Sequence, residues 1–332
     1  ARNESLHIGH TLTSIIHQNA VQMEIIVIND GSIDNTVKVA RQTFKKLNFT
    51  NFKIIDNQKL PKNWNGKTWA LNNGMIEAVK NKNSKYVLLV DADIVIDKNL
   101  LRNLIRKIKK ENIQMISLMA KLNCDFFWEK FLIPPFIYFF QKLYPFNLVN
   151  NPKKNAAAAA GGCIFAKISI FRKTNFFETI QNQIIDDCNL AKNVKKGNNI
   201  WLGLTEKVIS VRQYNSLAQI WTMVSRCAYA QLNNSIILYF FSVIGMIVIY
   251  LSGIIGLTTY YFHGSSYILI ISLANFLASC IVFSPTLNFY KLNRFFLISL
   301  PFSAILYMFM TSSSVFKYYF RKGNNWKGRR YK

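Results

Sequence analysis

The stretch Val87–Ile96, VLLVDADIVI, places two carboxylates inside a run that otherwise has the composition of a buried β-strand. An unpaired charge is costly to bury, so Asp91 and Asp93 require partners or water. Both follow four apolar residues, which puts them at the carboxyl end of the predicted strand. Two carboxylates one residue apart can hold a hard cation such as Mg²⁺ or Mn²⁺ at such a position. The alternative is that they form a turn or cap a helix.

The sequence on either side of this stretch predicts strands and helices in alternation. The predicted strands are 24–29, 52–56 and 86–91, and the predicted helices are 35–47, 68–80 and 98–110. This order is typical of an α/β domain with a mostly parallel, twisted sheet. Ligands bind beyond the carboxyl ends of the strands in open sheets of this kind. Asp30, like the acidic pair, follows the end of a predicted strand.

The C-terminal third has the composition of a membrane protein. Residues 227–290 contain no Asp, Glu, Lys or Arg, and all sixteen acidic residues of the chain precede residue 207. Three apolar segments are each long enough to cross a hydrocarbon core of about 30 Å. We predict a catalytic domain at 1–230 and a basic tail at 321–332, separated by a transmembrane region at 231–320 with all-α helices at about 236–260, 267–289 and 295–316.

Residues 126–149 are strongly apolar and aromatic but include Glu129 and the pair Pro134-Pro135. The two prolines are expected to interrupt any spanning helix. The segment therefore predicts helices that lie in the membrane interface, with Trp and Tyr at the level of the headgroups. A pair of buried helices in a soluble domain is the alternative.

The charge of the chain indicates the partner and the side of the membrane. A net charge of +25 suits an anionic membrane surface, and the sequence contains no nucleic-acid-binding motif, so we expect no nucleic acid as a partner. The basic loop 290–294 and the basic tail predict a multi-pass protein of the inner membrane with a cytoplasmic catalytic domain. Three full crossings would place the tail on the opposite side. The alternatives are that one apolar segment is re-entrant or interfacial, or that a segment expected before Ala1 alters the topology.

Histidine and cysteine show no metal-binding pattern. His7 and His10 have no third ligand near them in the sequence and are interpreted as surface residues of a helix. The five cysteines lack zinc spacing, which indicates free thiols in a reducing compartment.

Seven short motifs occur in order along the chain: ARNE (1–4), NDGSIDNT (29–36), GKTWALNNG (66–74), DAD (91–93), GGC (161–163), IDD (185–187) and WKGRRY (326–331). With this set the chain resembles the family 2 glycosyltransferases, inverting enzymes with the GT-A nucleotide-diphospho-sugar transferase fold. The resemblance covers residues 1 to about 230. LPKNWNGKTWAL (60–71), FFQKLYPFNLVN (139–150) and AAAAAGGC (156–163) look like the hopene-associated glycosyltransferases, a bacterial group.

The resemblance implies a set of donor-binding residues: Arg2, Asn3, Glu4, Asp30, Lys67, Asp91, Gly161, Gly162 and Arg226. Asp30 would contact the nucleoside, although Asn29 stands where the family often has a second aspartate. Lys67 would lie near the phosphates; an ordinary solvated lysine is the alternative. The first strand of the fold is expected to precede Ala1.

The resemblance also implies the catalytic and metal-binding residues. Asp187 aligns with the general base of the family, and Asp186 replaces a glutamate. Both also fit the N-terminus of a capped helix. Asp93 would bind the metal directly, and Asp91 would contact either the ribose or a metal-bound water. The metal would neutralise charge on the diphosphate leaving group.

Three further features carry weaker implications. Gly161 and Gly162 would let the backbone approach a ligand closely, whereas the preceding alanines also fit helix packing. The QxxRW motif of processive members is absent, which favours a single sugar transfer. Trp326, Arg329 and Arg330 match a family tail that closes over the donor, or belong to a basic membrane-surface tail.

Together these features predict a membrane-bound inverting glycosyltransferase that uses Mg²⁺ or Mn²⁺. It would move a sugar from a nucleoside-diphosphate sugar, UDP-linked in our interpretation, to a lipid hydroxyl such as that of a hopanoid, carotenoid or other polyprenoid. The alternatives are a processive polysaccharide synthase and a non-catalytic membrane-anchored binding protein.

Overall fold

The computed structural model describes residues 1–19, 21–320, 324–326 and 329–331 of the 332-residue chain, and the side chains of His263 and of residues beyond 320 lie outside that description. The chain forms two compact units. The first contains residues 1–122 and 144–212, and the second contains residues 123–143 and 213–332.

The described residues of the first unit form seven strands, of which the first three lie close to the three predicted positions. In chain order the strands are β1 (Ile25–Asn29), β2 (Phe52–Asp56), β3 (Tyr86–Val90), β4 (Ile94–Ile96), β5 (Met115–Lys121), β6 (Cys163–Lys167) and β7 (Ile200–Ser210). The helices are α1 (Ile8–Ile16), α2 (Thr36–Lys46), α3 (Gly66–Lys80), α4 (Leu100–Glu111), α6 (Phe146–Val149), α7 (Ser169–Lys173) and α8 (Asp186–Lys195). A 3₁₀ turn covers Glu178–Ile180.

The sheets of the first unit are mixed rather than mostly parallel. β1 and β2 pair in parallel, and a five-stranded sheet has the order β3-β6-β5-β7-β4. Within that sheet only β5 and β7 are parallel. β6 runs antiparallel to both β3 and β5, and β4 runs antiparallel to β7. β3, β5 and β7 therefore run in one direction, and β4 and β6 run in the other.

The core of the first unit lies between the sheet and the helices α1, α2 and α4. Phe44, Ile108 and Ile116 each have no exposed surface. Full burial of one such side chain stabilises the fold by about 1.5–3 kcal/mol. This core holds the strand ends in place, and the loops that follow the strand ends carry the polar residues described below.

The second unit is helical in the part that the structure describes in full. Its helices are α5 (Phe127–Leu143), α9 (Leu217–Gln231), α10 (Ile236–Met246), α11 (Ser252–Thr258), α12 (Tyr260–His263), α13 (Ser266–Phe289) and α14 (Ser299–Phe320). A π-helical turn, Ile247–Leu251, joins α10 to α11, and a 3₁₀ turn, Arg294–Ile298, precedes α14. Because α9 packs against α14, the structural division falls at Arg212, ahead of the predicted boundary at 230.

Three helical segments of the second unit are long and apolar enough to cross a membrane. They are Ile236–Thr258, Ser266–Phe289 and Arg294–Phe320. Their length and composition agree with the apolar segments found in the sequence. Many large side chains on them are exposed, among them Phe241, Ile271 and Phe302, which suits contact with lipid.

The pair Pro134-Pro135 does not interrupt the helix that contains it, contrary to the sequence-based expectation. α5 continues through both prolines. Proline has no N–H, so the carbonyl four residues before Pro135, that of Phe131, loses its helical partner. The hydroxyl of Ser303 on α14 donates to this carbonyl at 2.9 Å. A neighbouring hydroxyl of this kind is how apolar helices accommodate proline.

The basic tail falls largely outside the described residues. A short hairpin of β8 (Asn324–Trp326) and β9 (Arg329–Tyr331) is the part that is described. The side chains of Trp326, Arg329 and Arg330 lie outside the description, so their implied role stays a prediction.

Candidate active site

The turn between β3 and β4 holds the two aspartates of the opening stretch. The backbone N–H of Asp91 donates to the carbonyl of Gly162 at 3.2 Å, and the N–H of Val211 donates to the carbonyl of Asp93 at 2.9 Å. The turn is thus attached through its backbone to a segment on either side. These attachments hold both carboxylates at the carboxyl end of β3.

Lys67 joins this turn to the N-terminus of α8. Its Nζ lies 3.3 Å from Oδ1 of Asp91 and 3.4 Å from Oδ2 of Asp186. Lys67 sits in the first turn of α3, one residue after Gly66, where the helix begins. The first unit therefore brings three sequence-predicted residues, from positions far apart in the chain, into one cluster.

Asp187 lies beside this cluster with its carboxylate held by two backbone N–H groups. Oδ2 accepts from Gly161 and Oδ1 accepts from Cys188, both at 2.7 Å. Burial and the neighbouring charge of Asp186 raise the pKa of Asp187 to about 6, although Lys67 and the two backbone N–H groups oppose this shift. A carboxylate with a pKa near the working pH is suited to accept a proton.

A side chain at position 161 would crowd two neighbouring groups. A Cβ atom at this position would lie 3.0 Å from Nζ of Lys67 and 3.2 Å from Oδ2 of Asp187. Only glycine lets the backbone pass this close to both groups without displacing them. The close approach to a ligand that the sequence predicted stays a prediction, since the neighbours described at Gly161 are protein side chains.

Arg212 was not among the predicted site residues. It follows β7, where its Nε donates to Oδ2 of Asp93 at 2.7 Å and its Nη2 lies 2.8 Å from both carboxylate oxygens of Glu4. Burial lowers the pKa of Arg212, but the charges of Asp93 and Glu4 outweigh burial and raise it above its usual value. Its position two residues after the end of β7 was the available signal, since strand ends carry ligand-binding groups.

The first residues of the chain bind the loop that follows β1. Nη1 of Arg2 donates to the carbonyl of Asp30 at 2.6 Å, and Oδ1 of Asn3 accepts from the N–H of Ile33 at 2.9 Å. The backbone N–H of Glu4 donates to the hydroxyl of Thr36 at 2.8 Å. The motif at residues 1–4 and the motif at 29–36 thus form one hydrogen-bonded loop pair.

The presence of asparagine rather than aspartate at position 29 is explained by its neighbour on β2. Its Nδ2 donates to Oδ1 of Asp56 at 2.8 Å, and its Oδ1 accepts from the N–H of Ser32 at 3.1 Å. An aspartate at position 29 could accept from Ser32 but would repel Asp56. The departure from the family pattern is therefore matched by a carboxylate on the adjacent strand.

Two asparagines extend this polar edge and were missed from the sequence. Nδ2 of Asn57 donates to Oδ1 of Asp30 at 2.9 Å, and Nδ2 of Asn73 donates to Oδ1 of Asn57. Asp30 itself is only 5% exposed. Asparagines occur throughout this chain, so composition gave no reason to select these two.

The acidic cluster is suited to a divalent cation. The residues joined by the contacts above carry five carboxylates (Glu4, Asp91, Asp93, Asp186 and Asp187) and two cations (Lys67 and Arg212). Burial raises the pKa of Asp91, and Lys67 only partly offsets this, so a further positive charge would stabilise the ionised form.

Over the described ranges, no three His, Cys, Asp or Glu side chains converge as a complete metal site. Mg²⁺ and Mn²⁺ are commonly bound by one or two carboxylates and completed by water and substrate phosphates. The hard oxygen donors of Asp91 and Asp93 fit that mode of binding, and the side chain of Asp91 keeps 41% of its surface exposed.

Arg226 is the sequence-predicted site residue that the first unit does not contain. It lies on α9 in the second unit. Its implied role in donor binding stays a prediction, as do the roles of the other predicted residues.

The comparisons with known proteins identify the family. Residues 1–174, more than half of the chain, match the family described as Glycosyl transferase family 2. The chain therefore belongs to this family, as the ordered motifs predicted.

Two relatives characterise the range of the family. Poly-beta-1,6-N-acetyl-D-glucosamine synthase of Staphylococcus epidermidis is 42% identical over 95 residues, 29% of this chain and 20% of that protein. 4,4'-diaponeurosporenoate glycosyltransferase of Staphylococcus aureus is 39% identical over 94 residues, 28% of this chain and 22% of that protein. The matches thus span about a fifth of the length of each relative.

A solved structure confirms the fold. A mannosyltransferase from Pyrobaculum calidifontis, determined in complex with GDP-Man and Mn2+, superimposes with a TM-score of 0.54 at 13% identity. The similarity covers 97% of this chain and 86% of that one. The predicted GT-A fold followed by apolar helices is therefore the fold of this chain.

Proposed function

We propose that this protein is a metal-dependent, inverting glycosyltransferase of the cytoplasmic face of the inner membrane. It transfers one sugar from a nucleoside-diphosphate sugar to a hydroxyl group of a lipid. The observation that carries the proposal is the position of Lys67, within 3.4 Å of both the acidic turn after β3 and the acidic N-terminus of α8. In a one-step displacement the general base and the leaving group act on opposite faces of the same sugar, so the residues that serve them must line one site.

In the proposed reaction Asp187 accepts the proton of the acceptor hydroxyl as that oxygen attacks the anomeric carbon. The bond between this carbon and the diphosphate oxygen breaks in the same step, so the configuration inverts. The N–H of Gly161 fixes the orientation of the Asp187 carboxylate. Lys67 donates to the phosphate oxygens when a donor is bound, because the diphosphate is the stronger anionic partner.

Asp91 and Asp93 would hold Mg²⁺ or Mn²⁺. The ion, when bound, offsets the negative charge that the departing nucleoside diphosphate gains. Asp30 and the Asn57 amide that donates to it would contact the nucleoside. Gly162 would let the backbone approach the donor, and Arg2, Asn3 and Glu4 would shape the nucleoside side of the site.

The acceptor is proposed to be an apolar lipid such as a hopanoid, a carotenoid or another polyprenoid. Three apolar helical segments favour a substrate that resides in the membrane. The carotenoid-acid glycosyltransferase of S. aureus is one relative of this kind. The resemblance to hopene-associated glycosyltransferases favours a hopanoid within this class.

Incubation of the full chain in native membranes tests the proposal. The panel contains labelled UDP- and GDP-sugars, extracted lipids, and either Mn²⁺ or EDTA, and products are analysed by mass spectrometry. We expect one lipid that gains the mass of a single sugar from one UDP-linked donor, and no product in EDTA. If no donor is consumed under any condition, the result would instead favour a non-catalytic binding protein on this fold.

A processive polysaccharide synthase is the second candidate, because one relative is a polymer synthase at 42% identity. The same incubation separates the two. A synthase would produce a ladder of products that differ by one sugar, whereas single transfer produces one product mass. A ladder would overturn the proposed lipid acceptor but leave the proposed donor site intact.

A further inference from the structure

Arg212 connects three parts of the first unit that are far apart in the sequence. Its guanidinium contacts Glu4, 208 positions away, and Asp93, 119 positions away. The hydroxyl of Ser210 also lies 3.4 Å from Oδ2 of Asp93. Arginine is the one side chain whose planar fork can bind two carboxylates at once in this way.

These three side chains are largely shielded from water. The exposed fractions are 30% for Arg212, 15% for Asp93 and 9% for Glu4. Ion pairs with so little exposure are weakly screened by salt, and the charge of each partner is felt strongly by the others. Arg212 therefore does two things: it fixes the rotamer of Asp93, and it cancels part of the negative charge around the acidic turn.

We propose that Arg212 is a positioning residue that orients Asp93 for the divalent cation and, by its charge, keeps the cation weakly bound until a donor arrives. This inference rests on the proposed function. Lys67 is the other cation described at this cluster, and it contacts Asp91 and Asp186 rather than Asp93. Without Arg212 the cluster would attract a divalent ion strongly in the absence of substrate, but Asp93 would lose its fixed orientation.

Loss of Arg212 is expected to strengthen Mn²⁺ binding but to lower turnover, and this combination separates the proposal from a merely structural role. The substitution Arg212→Gln removes the charge, so Mn²⁺ should bind the donor-free protein about tenfold more tightly. The same substitution releases Asp93, so donor turnover should fall at least about tenfold. A variant that was only destabilised would show weaker binding together with lower turnover.

The experiment measures Mn²⁺ binding by electron paramagnetic resonance of the free ion, with the full chain in nanodiscs and no donor present. Arg212→Lys is the second variant: it keeps the charge but cannot form three hydrogen bonds in the same geometry. We expect its Mn²⁺ dissociation constant to stay within about twofold of wild type while turnover falls. Arg172→Gln is the control for net charge, because Arg172 binds two backbone carbonyls elsewhere on the unit.

The outcomes distinguish this inference from the proposed function. Unchanged or weaker Mn²⁺ binding in Arg212→Gln, with wild type binding normally, overturns the role of Arg212 alone. A change of more than about threefold in the Mn²⁺ dissociation constant of Arg212→Lys also overturns that role. If Arg212→Gln does not fold, the measurement on Arg212→Lys is the deciding test. Failure of the wild-type chain to bind Mn²⁺ both with and without nucleotide sugars would overturn the metal-dependent function itself.

Discussion

Three carboxylates of the first unit and Glu129 of the second unit are neutralised in different ways. In the first unit the partners of Asp91, Asp93 and Asp186 are the flexible side chains of Lys67 and Arg212. Glu129 is fully buried, and its carboxylate accepts from the backbone N–H groups of Asp125, Phe126 and Tyr214 at 2.6–3.0 Å.

The two arrangements differ in whether the partner of the carboxylate can move away. A lysine or arginine side chain can rotate away when a ligand brings other charges, so the pairs of the first unit are exchangeable. Backbone N–H groups are part of the fold and cannot leave without local unfolding. We therefore interpret Glu129 as a structural cap that joins the start of α5 to the segment before α9, and Asp91, Asp93 and Asp186 as groups that can exchange their partners for a ligand.

Replacement of Asp187 should give the largest effect, mainly on activity. Asp187→Asn removes the proposed base, so turnover should fall about 10²–10⁴-fold. The folded chain should lose about 1–3 kcal/mol, because the amide accepts one of the two backbone N–H groups and leaves the other unpaired. Product formation and thermal unfolding of the same preparation measure both.

The matched control for this replacement is Glu111→Gln. Glu111 is exposed at the end of α4 and pairs with Lys107 on the same helix. We expect full turnover and unchanged unfolding. Retention of most of the activity by Asp187→Asn would remove Asp187 from the proposed mechanism.

Replacement of Glu129 should give the next largest effect, and on stability. The amide of Glu129→Gln has one oxygen for three N–H donors, so at least one buried donor stays unpaired. The cost is about 2–4 kcal/mol, or a fall of about 5–15 °C in the unfolding midpoint in nanodiscs. The exposed Asp125→Asn is the control and should shift the midpoint by less than about 2 °C. An unchanged midpoint for Glu129→Gln would show that the cap is not structural.

The pH dependence of turnover sharpens the interpretation of Asp187. Its pKa is raised to about 6 by burial and by Asp186, so the basic form is present above pH 6 and is lost as the pH falls through that value. At saturating metal, kcat/KM should be about tenfold lower at pH 5 than on the plateau above pH 7. The residual activity of Asp187→Asn should lack this inflection, and an inflection that persisted there would assign it to another group.

A methyl group at position 161 should have the smallest effect. Gly161→Ala places a Cβ 3.0 Å from Nζ of Lys67 and 3.2 Å from the Asp187 carboxylate, and both ends can yield by a few tenths of an ångström. We expect turnover to fall about threefold to tenfold with little change in stability. Gly245→Ala is the control, since its Cβ would enter open space. Equal turnover in both variants would mean that the close approach at Gly161 is unimportant.

Local patterns were sufficient to predict much of this molecule. The strands β1 to β3, the helices between them and the acidic turn followed from periodicity and turn residues, because each depends on neighbours in the sequence. The apolar segments of the second unit were equally visible. The continuity of α5 was not, because it depends on the hydroxyl of Ser303, 172 positions away.

The types of residue that could hold a cation and accept a proton were readable from the chain itself, since carboxylates placed at strand and helix ends are local features. Which cations neutralise them was not readable. Arg212 reaches Asp93 and Glu4 only because β7 lies beside β4 in the folded sheet, and the antiparallel pairing of these strands leaves no trace in the local sequence. Side-chain partners in this site are set by strand order, which is a property of long-range packing.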